Sequence, residues 1–438
     1  VKRWTRVFLF SCVFLITVNH PLASSPPSNI TAVKCGHLLD VKSGVMLENR
    51  IVLIEGERIL QVGSAQEVRV PPGARVIDLG DATLLPGLID THVHLFLHPG
   101  PQDAQTLRET VAKRTIMAIK NAEADLRAGF TSERDLGTEG AEAADVDVRN
   151  AIDAGDIPGP RLQVSTQAIS IEGGHEDFFD YNPAVKMIPN AMMVEGVDEL
   201  KKAIRFQIKE GADLIKIYVT GADQIVSLED YRTVPQFTLE EMQAAVSEAA
   251  RMGKRVAVHA TGGEGALVSA EAGVYSIEHG YCLTDQTLLL MKQKRIFLVP
   301  TFTVTEWNIA HATTPAAQER GKMVILLRHQ HFERALAVGV KIAMGSDVGP
   351  FPHGTQAEEF SWMVKYGMTP LASIQAGTLN AAELMGWSDR VGSVEAGKLA
   401  DLVAVGENPL TNVDTLKNTL FVMKGGVVVK DMISDSRR

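Results

Sequence analysis

In the run Asp90-Thr91-His92-Val93-His94, two imidazoles occupy alternate positions of an apolar segment. Alternate residues of a strand point the same way, so His92 and His94 face one place. Three further apolar runs end in residues of the same kind: Val258-His259, Glu278-His279 and Ser346-Asp347. A single histidine at a strand end is more often structural than ligating. Four histidines and an aspartate, all at carboxyl ends of strands, favour ligation. Neutral imidazole nitrogen and carboxylate oxygen are donors that suit zinc, with manganese or iron as alternatives.

Such side chains converge only if their strands share one end of one sheet. Between residues 87 and 390 the chain alternates short apolar runs with amphipathic stretches. Strands are predicted over 88–94, 129–135, 161–167, 212–219, 255–260, 276–280, 296–301 and 341–347. The clearest helices are predicted over 104–128, 197–210, 239–252 and 322–338, from apolar residues three and four apart. Eight β-then-α units predict an α/β fold, a (β/α)8 TIM-type barrel. An open doubly wound sheet is the alternative. The ligand-type residues at the strand ends favour the barrel, whose active sites lie there. Short β patterns separated by turns fill 30–86 and return over 391–434. They predict one small β-sandwich domain built from both chain termini.

The strand-end residues also carry a resemblance. Leu85-Pro86-Gly87-Leu88-Ile89-Asp90-Thr91-His92-Val93-His94 resembles the opening barrel strand of the amidohydrolase superfamily. Gly129-Phe130-Thr131, Ile277-Glu278-His279-Gly280, Gly345-Ser346-Asp347 and the closing Gly397-Lys398-Leu399-Ala400-Asp401-Leu402 are similar to that family's later motifs. The resemblance covers essentially the whole chain beyond the leader. His353-Gly354-Thr355 and Met423-Lys424-Gly425-Gly426 resemble the imidazolonepropionase-related branch. That branch was once loosely labelled Xaa-Pro dipeptidases and includes carboxypeptidase-like and ochratoxin-hydrolysing amidases.

The resemblance implies a binuclear, metal-dependent hydrolase that cleaves C–N bonds. Gly211-Ala212-Asp213-Leu214-Ile215-Lys216-Ile217-Tyr218 matches the family's fourth strand, whose lysine is carboxylated and bridges two metals. Lys216 is the matching position. One divalent ion would be held by His92, His94 and Asp347, the other by His259 and His279, with Lys216 shared. Water between two cations loses a proton near neutral pH and becomes a nucleophile. It would attack an amide carbonyl, with Asp347 as general base and then acid. The expected substrates are dipeptides or N-acyl amino acids. The same metal core would also serve cyclic amides, lactones or ochratoxin-like amides.

Four other residues are candidates for binding substrate. His175 follows Gly173-Gly174 beyond the third strand, as in family members where such a histidine lies near the substrate. Tyr218, two residues past Lys216, shares its side of the strand. Arg134 ends the second strand and could pair with a carboxylate, or with a structural acid. His353 lies in the loop after the eighth strand, and His37, His329 and His331 are read as structural. Thr261 departs from related dipeptidases, which often carry Tyr or His two residues after the strand-five ligand.

The bulk numbers bound the alternatives. A chain of 438 residues, 45% hydrophobic and 22% charged, has ample length for a large core. Its net charge of -10, with no Lys/Arg-rich stretch in the body of the chain, argues against a nucleic-acid partner. Lys2, Arg3 and Arg6 precede an apolar run over 7–18, followed by small and turn-forming residues. That is the layout of a secretory signal peptide over 1–25, and it predicts a secreted or periplasmic protein with no membrane span after its removal. Of the cysteines Cys12, Cys35 and Cys282, the last two fit no metal spacing and are read as free thiols. A homo-oligomer is compatible with this reading. A non-catalytic binding protein on the same fold would be expected to have lost a ligand, and every position here is filled.

Overall fold

The computed structural model describes residues 30–435 apart from 179–181, 183, 185–186 and 226–230. The expected signal peptide lies outside the described residues. Eight parallel strands form the barrel: β1 (Leu88–Val93), β2 (Phe130–Asp135), β3 (Arg161–Val164), β4 (Ile215–Tyr218), β5 (Val256–Gly262), β6 (Ser276–Cys282), β7 (Phe297–Val299) and β8 (Lys341–Ile342). Ladders join β1 to β2 to β3, and β4 through to β8 in order. Backbone bonds from the segments flanking the strands close the ring. Asp213 N donates to Val164 O at 2.8 Å between β3 and β4, and Asp347 N donates to His92 O at 2.8 Å between β8 and β1. Gly345 allows the second approach, because a Cβ there would lie 2.4 Å from Val299 and 2.8 Å from His92 Cβ.

Alternation decides what each strand sends inward. On β4, Ile215 and Ile217 pack outward into one apolar cluster with Leu200, Ile204 and Met242 of the flanking helices. Lys216 and Tyr218 therefore face the barrel interior. The helices begin and end on local signals. The helix Val111–Ala128 is capped by Thr110, whose hydroxyl accepts from Lys113 N, and stops at Gly129 with φ 109. The stretch expected as one helix over 104–128 is broken by that cap into Gln102–Arg108 and Val111–Ala128. The helix Leu239–Arg251 starts on a capping box of Thr238 and Glu241.

The terminal strands form one continuous eight-stranded sheet. Strand Leu402–Val405 pairs antiparallel with Thr83–Pro86, joining the two ends of the chain. The expected sandwich is this single sheet curled over its own core. Ile59, Leu84, Leu402 and Met423 share one buried cluster, and Ile59 N donates to Lys398 O at 2.9 Å across the opening. The other face, with Val403, Val405 and Val422, joins the core that lines the outside of the barrel. Cys35 and Cys282 are buried, and among the described residues neither is in a disulfide. No described helix is long and apolar enough to cross a membrane.

Candidate metal centre

The carboxyl ends of the strands surround a cavity of about 270 Å³. His92, His279 and Asp347 each offer a ligand atom to it, and these atoms all lie within 4.8 Å of one another. Asp347 Oδ1 is 3.5 Å from His92 Nε2 and 3.3 Å from His94 Nε2. The rings of His92 and His279 lie 5.1 Å apart, and those of His259 and His279 4.4 Å apart. His92, His94, Lys216, His259, His279 and Asp347 thus line one cavity, contributed by β1, β4, β5, β6 and the segment after β8.

Each imidazole on β1 is held by a partner on its far nitrogen. His92 Nδ1 lies 3.0 Å from Glu278 Oε2. His94 Nδ1 lies 3.0 Å from the Gly137 carbonyl, which can only accept. Both rings therefore carry the proton on Nδ1 and turn the Nε2 lone pair toward Asp347. Burial, foremost, holds His92, His259 and His279 well below the usual imidazole range, so their rings are neutral. Burial alone would raise Asp347. The imidazoles of His92 and His94 and the amine of Lys216 outweigh it and hold this carboxyl below its ordinary range.

Lys216 is fully buried, and among the described residues its Nζ has no hydrogen-bond partner. Burial is the main cause lowering its pKa, against the nearby carboxylates of Glu278 and Asp347. An unpartnered ammonium in such a place is costly. The surroundings favour the neutral amine.

Backbone strain collects at the same mouth. Glu139, Glu176, His279, Thr301 and Asp347 all have positive φ, between 49° and 71°. Left-handed conformations of non-glycine residues cost energy and gather where geometry serves function.

Two candidate substrate residues lie in the cavity wall. His175 stacks on His259 with ring centroids 4.2 Å apart. The Tyr218 hydroxyl donates to Glu139 Oε1 at 2.7 Å. The other two lie elsewhere. Arg134 points to the opposite end of the barrel, where its Nη1 donates to the hydroxyl of Ser276, the first residue of β6. It borders a separate cavity there, with Gln163 and Arg255. Its Nη2 also donates to Glu278 Oε1 at 2.9 Å, so it steadies the carboxylate that holds His92 and does not line the cavity. His353 is buried against the helix Val111–Ala128, its Nδ1 2.6 Å from Asp125 Oδ2, and pins the loop after β8.

Among the cavity-wall residues missed from sequence, four carry ionisable side chains. Glu139 follows β2, Glu176 follows His175, Tyr281 lies at the end of β6, and Arg328 comes from the helix Pro315–Val338. Only Glu139 and Glu176 carried a signal, as acids just past a strand end or beside a candidate histidine.

Against known proteins, residues 83–435 match the model of the amidohydrolase family. An ochratoxinase of Aspergillus niger is 30% identical, over 93% of this chain and 88% of its own. A solved Xaa-Pro dipeptidase with methionine bound in its active site superposes with a TM-score of 0.82 at 34% identity, covering 91% of this chain and 99% of its own. A prolidase complexed with N-methylphosphonate-L-proline superposes with a TM-score of 0.81 at 29% identity, covering 92% of this chain and all (100%) of its own.

Proposed function

This chain belongs to the amidohydrolase family, and from that premise we propose that it is a two-metal hydrolase of amide bonds in dipeptides or N-acyl amino acids. The observation that carries the reading is the convergence of His92, His279 and Asp347 in one cavity with the unpartnered Nζ of Lys216. His92, His94 and Asp347 would hold one ion and His259 and His279 the other. Zinc is the ion that this donor set suits first. Lys216, carboxylated on Nζ, would be shared by both. Its burial favours the deprotonated amine that carbon dioxide adds to. Bound there, the ions supply an acidified water and polarise the substrate carbonyl.

The chain's own residues do the rest. Asp347, ionised at neutral pH, takes a proton from the attacking water and passes it to the leaving nitrogen. Glu278 and Gly137 fix the two β1 imidazoles in the tautomer that leaves Nε2 free. Tyr218 and His175 wall the cavity beside His259.

A second reading, hydrolysis of ochratoxin-like amides, is favoured by the 30% identity to a protein named ochratoxinase. Amine release across dipeptides and bulky N-acyl amino acids, with two ions per chain verified, tests both. Cleavage of a subset sharing one C-terminal residue type is expected. No cleavage of any of them would overturn both readings and turn the search to cyclic amides or lactones. We also propose that the chain is exported. Amino-terminal sequencing of protein recovered outside the cytoplasm checks this, and a start within 1–22 would overturn it.

A further inference from the structure

The wall of the cavity is not uniform in charge. In a closed ring of eight strands, the sector at β2 and β3 lies diametrically opposite the sector at β6 and β7. The first sector is acidic. Glu139 comes from the segment after β2 and is buried, with Oε1 accepting from Tyr218 and 3.3 Å from His94 Nδ1, and Oε2 without a partner among the described residues. Glu176 comes from the segment after β3, with Oε2 accepting from Asn190 Nδ2 at 3.0 Å and Oε1 3.3 Å from His175 Nε2. Both acids line the same cavity.

The opposite sector is basic. Arg328 is 3% exposed yet borders the cavity. Its Nη2 donates to the carbonyls of Pro300 and Thr301 just past β7, and its Nη1 to the hydroxyl of Thr305. Its guanidinium lies 5.1 Å over the ring of Tyr281 at the end of β6. Among the described residues no carboxylate is hydrogen-bonded to it, and its Nε is buried without a partner. Its hydrogen bonds among the described residues all go to neutral oxygens, and the carboxylates that act on its charge, Glu359 and Asp347, do so without bonding it. The ligand-type histidines and Asp347 lie between the two sectors.

Building on the amide-hydrolase reading, we infer that this cavity selects unblocked dipeptides. It holds their α-ammonium at the Glu139/Glu176 wall and their α-carboxylate at the Arg328 wall, with the scissile amide over Asp347. An N-acyl amino acid meets only the second requirement. It also leaves the acidic wall facing an uncharged group, which a site built on polar complementarity rejects strongly. The inference goes beyond the family's chemistry, because the metal ligands alone do not distinguish these substrates.

The test takes the best dipeptide of the panel and compares it with its N-acetyl and its C-terminal amide forms on the metal-loaded protein. Each cap is expected to lower kcat/KM at least about tenfold. In Glu176→Gln the penalty for N-acetylation should shrink severalfold while the penalty for amidation persists. Arg328→Met should show the converse. Should that variant fail to fold, the two caps on the unaltered enzyme and Glu176→Gln still decide the matter. Equal rates for free and N-acetylated dipeptide, or a Glu176→Gln variant that loses both penalties alike, would overturn the inference and leave the amide hydrolase standing. No turnover of any of the three compounds would overturn the amide reading and the inference with it.

Discussion

At the scale of single residues, Asp347 carries the sharpest expectation. It is the one carboxylate in contact with both β1 imidazoles and near His279, and its neighbours keep it ionised. Asp347→Asn keeps the shape and removes the base. It should lower kcat/KM by about 10²–10⁴-fold, with a melting temperature little changed. Unchanged turnover would remove Asp347 from the mechanism. Lys216→Ala should lose one of two bound ions by metal analysis, and a short carboxylic acid that fills the gap should restore part of the activity. Two ions retained by that variant would show that Lys216 bridges nothing. His92, His94 and Asp347 stood out in the sequence because ligand chemistry admits few residue types and a strand repeats every second position, whereas Lys216 was reached through the family resemblance. Arg134 was misread for a related reason. Alternation tells which side of a strand a residue faces, but a long side chain can still run toward either end of the barrel, and this one bonds Ser276.

At the scale of elements, the strands were easier to place than the segments after them. Strand β5 was expected over 255–260 and runs Val256–Gly262, and the helix Gly196–Glu210 lies within a residue of its expected start. The hairpin Thr220–Ile225 with Tyr231–Pro235, directly after β4, was missed. Its residues alternate weakly, and its strands pair with each other outside the barrel ladders, with Thr220 and Thr233 fastening it to Thr261 and Gly262 of β5. Arg328 was hidden in the same way. Nothing local marks it off on a helix of 24 residues, and its role depends on carbonyls that follow β7. The pairing of β1 with β6 through His92 and Glu278 makes a prediction at this scale. Glu278→Gln should weaken metal affinity by about 10–100-fold, and excess metal should recover most of the turnover. A lowered rate at saturating metal with unchanged affinity would argue that Glu278 acts on the chemistry directly.

At the scale of the whole molecule, stability should depend on pH through a buried carboxyl that does not line the candidate metal centre. Glu359 accepts from the Phe302 and Thr303 backbone amides, and burial pushes its carboxyl up to about 7. A folded-state value above the unfolded one means that the native chain binds the extra proton. The associated stability is full below about pH 4.5 and is lost as pH rises through 7. The loss would be about 3 kcal/mol at most. Glu359→Gln cannot ionise, so its denaturation midpoint should fall less between pH 5 and 7.5 than that of the unaltered protein. Parallel curves for the two proteins would assign the dependence to other groups.

The pairing of Thr83–Pro86 with Leu402–Val405 also sets an order in time. At a synthesis rate of about 5–20 residues per second, roughly 300 residues and tens of seconds separate these two strands as they emerge. Until the later strand arrives, the earlier one has an open edge toward its missing neighbour, and open edges recruit other chains. A ribosome that stalls or a protease that clips just before Leu402 would release a product with its barrel segments complete and that edge uncovered. Such shortened chains should accumulate in aggregates rather than as a smaller working enzyme.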